Sequence, residues 1–259
     1  MANVLDLRRR IRAGETLIGV FSDLASPLAV ELCGRGGFDW TVLDLEHGAA
    51  TEADLLGLLY AAAATPMVPL VRVPSAERLR IGRALDLGAA GIMLPQLQSA
   101  AEVREAVRYL RYPPVGSRGI ALRTRGADMG ALGHGDVARV VNERLVGIVQ
   151  IEAAATVADA DEIAAMEEVD VLFVGPADLS HNLRVPGRFD EPVYQDALRT
   201  VVEACRRHGK SAGILVYDAA AFGPHHDLGF RFIGLGSEGS FVSTGAQAML
   251  TAARRAASA

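Results

Sequence analysis

Ionisable and polar side chains stand directly after four short apolar runs of the 259-residue sequence. They belong to the segments Asp44–His47, Arg72, Gln150–Glu152 and Asp178–Ser180. Hard divalent cations prefer carboxylate ligands, histidine exchanges a proton near neutral pH, and arginine carries a fixed positive charge. Together such groups can polarise a carbonyl compound and move a proton beside it.

Each of these residues also has a purely structural interpretation. Asp44 and Asp178 are suitable helix N-caps, and Glu152 would be favoured in the first turn of a helix. Arg72 could form an ion pair at a rim, and His47 could be a hydrogen-bonded core histidine. Because four strand ends carry such groups at once, chance is a poor explanation, and a shared site is favoured.

Apolar runs rich in Val, Ile and Leu alternate with helical patterns along the chain. The runs predict strands at 17–21, 40–43, 68–73, 91–94, 145–151, 171–174, 212–216 and 230–235. Helices are predicted near 27–35, 52–64, 76–87, 100–110, 153–167, 191–208, 218–227 and 244–257. Strands without polar alternation are typical of parallel sheets buried on both faces. Eight such units predict an α/β fold, a (β/α)8 barrel, with an open doubly wound sheet as the alternative.

A single barrel domain is expected over residues 1–259, with a long irregular insert at about 112–142. Long loops in compact domains are often functional, and we expect this one to cover a mouth of the barrel. Catalytic groups of (β/α)8 barrels lie at the C-terminal ends of the strands. The four polar segments are therefore predicted to converge on one mouth.

Composition excludes several classes of function. A net charge of −5 argues against a nucleic-acid partner, and the basic run Arg8–Arg10 is interpreted as the solvated face of an N-terminal helix. The longest uncharged run, 55–71, is interrupted by prolines and is shorter than the ~20 residues of a membrane helix, so no membrane association is expected. Two cysteines and the lack of a signal-peptide pattern predict a cytoplasmic protein.

Six segments together are more specific than any one of them. In chain order they are Asp44-Leu-Glu-His-Gly48, Val71-Arg72-Val-Pro74, Leu85-Asp86-Leu-Gly88, Tyr112-Pro-Pro-Val-Gly-Ser-Arg118-Gly119, Gln150-Ile-Glu152 and Gly175-Pro-Ala-Asp178-Leu-Ser180. The set resembles the HpcH/HpaI family of class II, metal-dependent pyruvate aldolases. The resemblance implies a TIM barrel of the phosphoenolpyruvate/pyruvate type and the reversible cleavage of 4-hydroxy-2-oxo acids to pyruvate and an aldehyde.

The resemblance also implies roles for individual residues. Glu152 and Asp178 would hold a divalent metal ion, for which Mg²⁺, Mn²⁺ and Co²⁺ all suit an oxygen-rich site. His47 would be the general base, and Arg72 would stabilise the enolate of pyruvate. Gln150 would hydrogen-bond the bound keto acid.

Two further sets of contacts follow from the family pattern. The backbone N–H groups of Ala177 and Asp178 would receive the substrate carboxylate. The family pairs the histidine base with an aspartate that matches Asp86. The helix pattern puts Asp86 at the end of the barrel opposite the active mouth. The pair would therefore form between subunits, or the helix boundary differs, or Asp86 is a surface acid.

Two acidic residues near these motifs could orient the base, and two nearby segments could set the specificity for the aldehyde. Asp44 and Glu46 are better placed than Asp86 to orient the base or the metal-bound waters. Residues 120–135 lack the aromatic residue associated with the family loop, and residues 181–183 replace smaller ones. Both segments are expected to flank the aldehyde side of the pocket. Within the first segment, Arg123, Arg125 and His134 could bind an acidic aldehyde or could be ordinary exposed charges.

Other functions stay open at this level. Citrate-lyase-like cleavage of acyl-CoA thioesters and non-catalytic binding of keto acids are the alternatives. Lys210 is the only lysine and precedes a strand, so no Schiff-base chemistry is expected. The expected partners are pyruvate, an aldehyde and the hydroxy-oxo acid. The resemblance implies a homohexamer with C-terminal helices packed between subunits, and the apolar face of 244–257 suits that arrangement or packing on the barrel.

Overall fold

The structure, a computed structural model, describes residues 2–258. Eight parallel strands form a closed barrel in chain order, which confirms the predicted fold. They are β1 Leu17–Ser22, β2 Trp40–Asp44, β3 Val68–Arg72, β4 Gly91–Leu94, β5 Val146–Ile151, β6 Val171–Val174, β7 Ser211–Val216 and β8 Phe232–Ser237. The helices are α1 Ala2–Arg12, α2 Pro27–Arg35, α3 Leu55–Ala63, α4 Arg78–Leu87, α5 Ala100–Val107, α6 Gly133–Arg144, α7 Ala154–Ala158, α8 Ala160–Ala164, α9 Pro176–Asn182, α10 Pro192–Arg207, α11 Phe222–Leu228 and α12 Glu238–Ala257.

Aromatic side chains fill the inside of the barrel, although the sequence holds few of them. The rings of Trp40 and Phe232 stack with centroids 4.1 Å apart, and Phe173 meets both edge-on. Trp40 fits only because β1 carries Gly19 opposite it. A Cβ at Gly19 would lie 2.0 Å from the indole ring. This packed interior supports the strand ends that carry the polar segments.

The end of the barrel at the strand N-termini is closed by α1. The prediction that Arg8 lies on a solvated face is wrong. Arg8 is 8% exposed, and its Nε donates to both carboxylate oxygens of Asp170 at 2.8 and 3.0 Å. Asp170 precedes β6 and also accepts from the amide of Gly147 in β5. A buried ion pair therefore fixes α1 across the barrel.

The insert at 112–142 differs from its prediction in two ways. Part of it is helical, with a 3-10 turn at Arg125–Gly130 followed by α6. It also covers the opposite end of the barrel from the polar mouth, since its residues share a cavity with Met67–Pro69 and Ala89–Ala90. A segment between a helix and the next strand lies at the strand N-termini in this fold. Residues 120–135 therefore do not flank the active mouth of their own chain.

Two other helices differ clearly from their predictions. The predicted helix 153–167 is split into α7 and α8 at Asp159. The last helix begins at Glu238 rather than near 244, because the Ser237 hydroxyl accepts from the amide of Ser240 and caps it. Within residues 2–258, no helix is both long enough and apolar enough to cross a membrane.

Candidate active site

The four polar segments meet at the C-terminal ends of the strands. Asp44 and Arg72 are the last residues of β2 and β3, and they lie opposite each other in register. Gln150 belongs to β5, and Glu152 is the first residue after that strand. All four side chains are buried, with residue exposures of 3–8%. Burying this many polar groups costs free energy unless they bind one another or a ligand.

Arg72 is held rigidly by Asp44. Its Nε donates to Oδ1 at 2.9 Å and its Nη2 donates to Oδ2 at 2.6 Å, a bidentate pair. Burial alone would raise the pKa of Asp44, but the guanidinium and the amides of Glu46 and His47 bring it below its ordinary value. The pair therefore stays ionised, and Asp44 fixes both the arginine and the start of the following loop.

The remaining edge of Arg72 faces the centre of the mouth. Its Nη1 lies 3.1 Å from Glu46 Oε2 and donates to Gln150 Oε1 at 3.4 Å. Its guanidinium carbon sits 5.3 Å from the centre of the Phe21 ring. A cation placed this way has little freedom to move, so it can stabilise negative charge that develops nearby without reorganising.

Glu152 is the carboxylate best suited to a bound cation. Gln150 Nε2 donates to its Oε2 at 2.6 Å, and the backbone amide of Gln96 donates to its Oε1. Burial raises the pKa of Glu152; the Gln96 amide opposes this effect, whereas the negative charges of Glu46 and Asp178 reinforce it. The protein therefore gathers excess negative charge beside Glu152, as a cation site requires.

Gly175 gives the site its close packing. A Cβ at this position would lie 2.9 Å from Gln150 Nε2 and 3.2 Å from Glu152 Oε2. Any larger residue would push one of these groups aside. Gly175 directly follows β6 and caps α9, so it brings Asp178 to the same mouth.

The donor set fits a hard divalent cation with few protein ligands. Among the described residues, no group of three or more His, Cys, Asp and Glu side chains is already arranged for a metal. Glu152 and Asp178 are oxygen donors on neighbouring strand ends whose charges interact. Magnesium commonly takes one or two carboxylates and fills its other positions with water and substrate oxygens.

His47, Ala177 and Asp178 line the open side of the mouth. The imidazole of His47 is 61% exposed, and its Nε2 lies 3.9 Å from Glu46 Oε1. Ala177 and Asp178 are exposed in the first turn of α9, where backbone N–H groups lack partners within the helix. These groups therefore face solvent.

Asp86 lies apart from the other predicted site residues within one chain. It sits one residue before the end of α4, and its Oδ1 accepts from Arg118 Nη2 at 2.8 Å. Arg118 belongs to the insert at the strand N-termini. The helix boundary at Leu87 matches the prediction, so a changed boundary does not bring Asp86 to His47.

Three residues at this mouth were not predicted from the sequence. Gln96 follows β4 by two residues and has φ +58°, a left-handed conformation that turns its amide toward Glu152. Its side chain also donates to Glu46 Oε1 at 2.7 Å. Tyr217 directly follows β7. Burial raises the pKa of its hydroxyl, and the negative charge of Asp178 adds a smaller increase. Glu238 follows β8 and accepts from Ser22 at 3.0 Å. The same strand-end criterion, applied to every strand, would have found them.

Lys210 is far from this chemistry. Its ammonium group donates to the carbonyls of Met166 and Val169 at 2.8 and 2.6 Å. It lies just before the first residue of β7, at the end of the barrel opposite the mouth. Both its position and its partners indicate a structural role.

Comparisons with known proteins agree with this geometry. The model of the HpcH/HpaI aldolase/citrate lyase family matches residues 17–244. The chain is 38% identical over 238 residues to a hydroxypyruvate/pyruvate aldolase of Paraburkholderia phytofirmans, covering 90% of this chain and 91% of that one. It is 37% identical over 228 residues to a 5-keto-4-deoxy-D-glucarate aldolase of Salmonella paratyphi C, covering 88% of each.

A solved structure supports the same assignment. A HpcH/HpaI aldolase/citrate lyase family protein from Burkholderia cenocepacia superposes with a TM-score of 0.91 at 34% identity. The match covers 96% of this chain and 99% of that one. With the strand-end carboxylates and Arg72 at one mouth, these matches establish that the chain belongs to the HpcH/HpaI aldolase/citrate lyase family.

Proposed function

We propose that this protein is a class II pyruvate aldolase that reversibly cleaves 4-hydroxy-2-oxo acids to pyruvate and an aldehyde. The observation that carries the proposal is the buried, fully oriented Arg72 beside the Gln150–Glu152 pair. Cleavage leaves an electron pair on the fragment that becomes pyruvate, as an enolate. A fixed cation next to a carboxylate-rich cation site provides for that charge where it develops.

Different groups around Arg72 would bind different parts of the 2-oxo acid. Gln150 would hydrogen-bond the 2-oxo acid, and the N–H groups of Ala177 and Asp178 would receive its carboxylate. Arg72 would lie at the keto oxygen and stabilise the enolate, while Asp44 keeps the guanidinium in place. Asp44 acts in this scheme by positioning Arg72 and the loop that carries His47.

We propose that Glu152 and Asp178 hold the divalent ion, with Mg²⁺, Mn²⁺ and Co²⁺ all chemically suitable. When bound, such an ion polarises the carbonyl of the keto acid as a Lewis acid. The neutral Gln150 amide and the Gln96 N–H orient the Glu152 carboxylate. Such support of a ligand commonly sets metal affinity.

We propose His47 as the general base that exchanges a proton with the pyruvate methyl group. Replacing it, as in His47→Gln, is expected to slow deuterium exchange of that methyl by roughly 10²–10⁴-fold, because a positioned base contributes about that much. Affinity for the divalent ion should stay nearly unchanged, since His47 is exposed and is not a proposed ligand. Proton NMR follows the exchange, and calorimetry follows the metal. Exchange at the wild-type rate would rule out His47 as the base.

The aldehyde partner is the least constrained part of the reaction. The insert covers the opposite end of the barrel, so Arg123, Arg125 and His134 do not reach the mouth of their own chain. Tyr217 and the exposed His181 stand at or near the mouth instead. We therefore propose that these two residues contact the aldehyde portion. The relatives named for hydroxypyruvate/pyruvate and for a keto-deoxy sugar acid suggest polar, hydroxylated aldehydes.

A coupled assay of pyruvate release tests the function. A panel of 4-hydroxy-2-oxo acids with acidic, hydroxylated and apolar ends is offered with Mg²⁺, Mn²⁺ or Co²⁺. We expect metal-dependent release of pyruvate, with hydroxylated substrates preferred. Acyl-CoA cleavage is the less favoured alternative, because the named relatives are aldolases. Cleavage of a CoA thioester without any cleavage of hydroxy-oxo acids would reverse the choice.

Oligomer formation is supported by the surface of α12. Phe241 stacks on Phe38 of the same chain, with ring centroids 6.2 Å apart. Beyond it the helix is exposed throughout, including Val242, Met249 and Leu250. Helix α2 adds the exposed side chains of Leu28 and Leu32. Contiguous apolar surface of this kind marks an interface between proteins. We propose a cytoplasmic homohexamer of single-domain chains, in which Asp86 reaches His47 of a neighbouring subunit.

The helix interface gives a direct prediction. The double substitution Met249→Glu and Leu250→Glu should reduce the oligomer to smaller species, because charges would be buried at the contact. Light scattering coupled to size exclusion measures the mass. The control Ala256→Glu adds a charge at an exposed position near the end of the helix and should leave the mass unchanged. A monomeric wild-type protein would refute the proposed assembly.

A further inference from the structure

Gln96 connects two segments of the active site that are far apart in the sequence. It lies in the loop after β4, and its backbone N–H donates to Glu152 Oε1. Its side-chain Nε2 donates to Glu46 Oε1 at 2.7 Å. Glu152 belongs to the proposed cation site, whereas Glu46 belongs to the loop that carries His47. A single residue therefore binds a carboxylate of each segment.

The backbone around Gln96 presents this residue to the mouth of the barrel. Pro95 and Leu97 are buried, whereas Gln96 between them is exposed. Its φ of +58° lies in the left-handed region, which costs free energy at a residue that has a Cβ. Strain of this kind persists only where surrounding contacts enforce it, and it is concentrated at functional sites. The contacts to Glu46 and Glu152 are the ones that this backbone makes possible.

Glu46 lies between two residues that are proposed to act on the substrate. Its Oε2 is 3.1 Å from Arg72 Nη1, and its Oε1 is 3.9 Å from His47 Nε2. The side chain of Glu46 is only 6% exposed, so its charge is largely removed from water. A buried carboxylate of this kind needs hydrogen-bond donors to be stable in one position.

The two oxygens of Glu46 differ in how they are held. Oε2 is buried and accepts no hydrogen bond of good geometry, although Arg72 lies close to it. Oε1 accepts from Gln96 Nε2. Among the residues that the structure describes, Gln96 is the one group that hydrogen-bonds to this carboxylate. The orientation of Glu46 therefore depends on the Gln96 side chain.

We propose that Gln96 is a positioning residue whose side-chain amide holds Glu46 between Arg72 and His47. This inference rests on the proposed aldolase function, in which Arg72 stabilises the enolate and His47 exchanges the proton. A carboxylate fixed at this point restrains the open edge of the guanidinium and keeps a constant charge beside the base. The backbone N–H of Gln96 acts separately on Glu152. The two contacts should therefore affect different steps, which are proton exchange and ion binding.

The substitution Gln96→Met separates the side chain from the backbone. It keeps the length of the side chain and the backbone N–H, but it removes the donor to Glu46. Metal-dependent deuterium exchange of the pyruvate methyl should slow by about 10- to 100-fold, the usual cost of losing such a supporting contact. Affinity for Mn²⁺, measured by calorimetry, should stay nearly unchanged because the contact with Glu152 remains. Wild-type exchange by Gln96→Met would overturn the proposal, and so would equal losses of exchange and Mn²⁺ affinity.

Two further variants test whether the backbone is responsible. Gln96→Asn tolerates the left-handed conformation well, but its side chain is shorter by about 1.5 Å and cannot reach Glu46, so the same slowing is expected. The control Gln98→Met changes an exposed glutamine whose side chain donates to the Gln96 carbonyl at 3.3 Å. It should exchange at the wild-type rate. Rapid exchange by Gln96→Asn would show that the backbone, not the contact with Glu46, matters.

A double-mutant cycle with Glu46→Met shows whether Gln96 acts through Glu46. Once Glu46 is replaced, Gln96→Met should have almost no further effect on exchange, because residues in contact are not additive. The same four proteins, unfolded in urea without metal, give a second cycle that does not depend on catalysis. A wild-type protein that fails to exchange pyruvate protons would refute the proposed function, and the urea cycle would still decide whether Gln96 holds Glu46. Coupling between the two substitutions supports the inference, and additive effects overturn it.

Discussion

Glu152→Gln is expected to abolish metal-dependent turnover while leaving the fold intact. The substitution removes the charge of the one buried carboxylate proposed as a metal ligand and keeps its shape. Loss of a group that stabilises charge in a transition state costs roughly 10²–10³-fold in kcat, and loss of the ion as well should exceed that. Calorimetry with Mn²⁺ and the pyruvate-release assay measure both effects on one preparation.

The fold should survive Glu152→Gln for an electrostatic reason. Burial, Glu46 and Asp178 raise the pKa of Glu152, so its ionised form is less favourable in the folded protein than in the unfolded chain. The raised pKa contributes stability at low pH, and that contribution disappears as the pH rises through the folded pKa. A neutral amide removes the cost of ionisation, and the metal-free variant should be at least as stable as wild type near neutral pH.

The control for this experiment is Glu162→Gln. Glu162 forms an exposed pair with Arg104 at 2.7 Å, and both side chains are more than half exposed. Exposed pairs contribute little, so turnover and metal affinity should match wild type. A Glu152→Gln protein that still binds Mn²⁺ as tightly as wild type would show that the ligand lies elsewhere.

Asp170→Asn is expected to give the largest loss of stability among single charge changes. Asp170 is fully buried and accepts from Arg8, Arg12 and the Gly147 amide, while Arg111 Nη2 lies 3.6 Å away. Burial lowers the pKa of Arg111 to about 10, with Arg8 adding to the effect and Asp170 opposing it. Neutralising Asp170 therefore leaves two buried guanidinium groups without a counterion.

The expected size of this loss follows from buried ion pairs in other proteins. Removing one partner costs about 3–5 kcal/mol, which for a domain of this size lowers Tm by roughly 6–20 °C. Chemical unfolding with urea gives the free energy directly. The control Asp136→Asn breaks an exposed pair with Arg139 and should change stability by less than about 1 kcal/mol. Equal stability of Asp170→Asn and wild type would mean that α1 is held by its apolar side chains alone.

Most of the fold could be predicted from the sequence, because strands buried on both faces appear as short apolar runs. All eight strands were predicted within two residues of their observed ends, and those at 91–94 and 171–174 match at both ends. Eight apolar runs without polar alternation, in a chain of this length, are compatible with few folds other than a parallel barrel. The start of α12 was missed because the Ser237 cap is a local hydrogen bond without hydrophobic periodicity.

The candidate site was predicted in part, and its gaps have physical causes. Asp44, Arg72, Gln150 and Glu152 could be placed because strand ends of a barrel converge. The contact of Gln96 with Glu152 depends on a left-handed backbone at a non-glycine residue, which no periodicity reveals. The location of the insert was wrong because loop length says nothing about which end of the barrel a loop covers.

Deuterium exchange of the pyruvate methyl protons tests the central claim most directly. Pyruvate is incubated in D₂O with wild-type protein, with and without Mn²⁺, and the methyl signal is followed by proton NMR. An enolate-forming aldolase must exchange these protons when the ion is present, and Glu152→Gln must not. We predict rapid, metal-dependent exchange by wild type. Pyruvate that is bound by the wild-type protein but retains its methyl protons with Mn²⁺ present would contradict the aldolase mechanism.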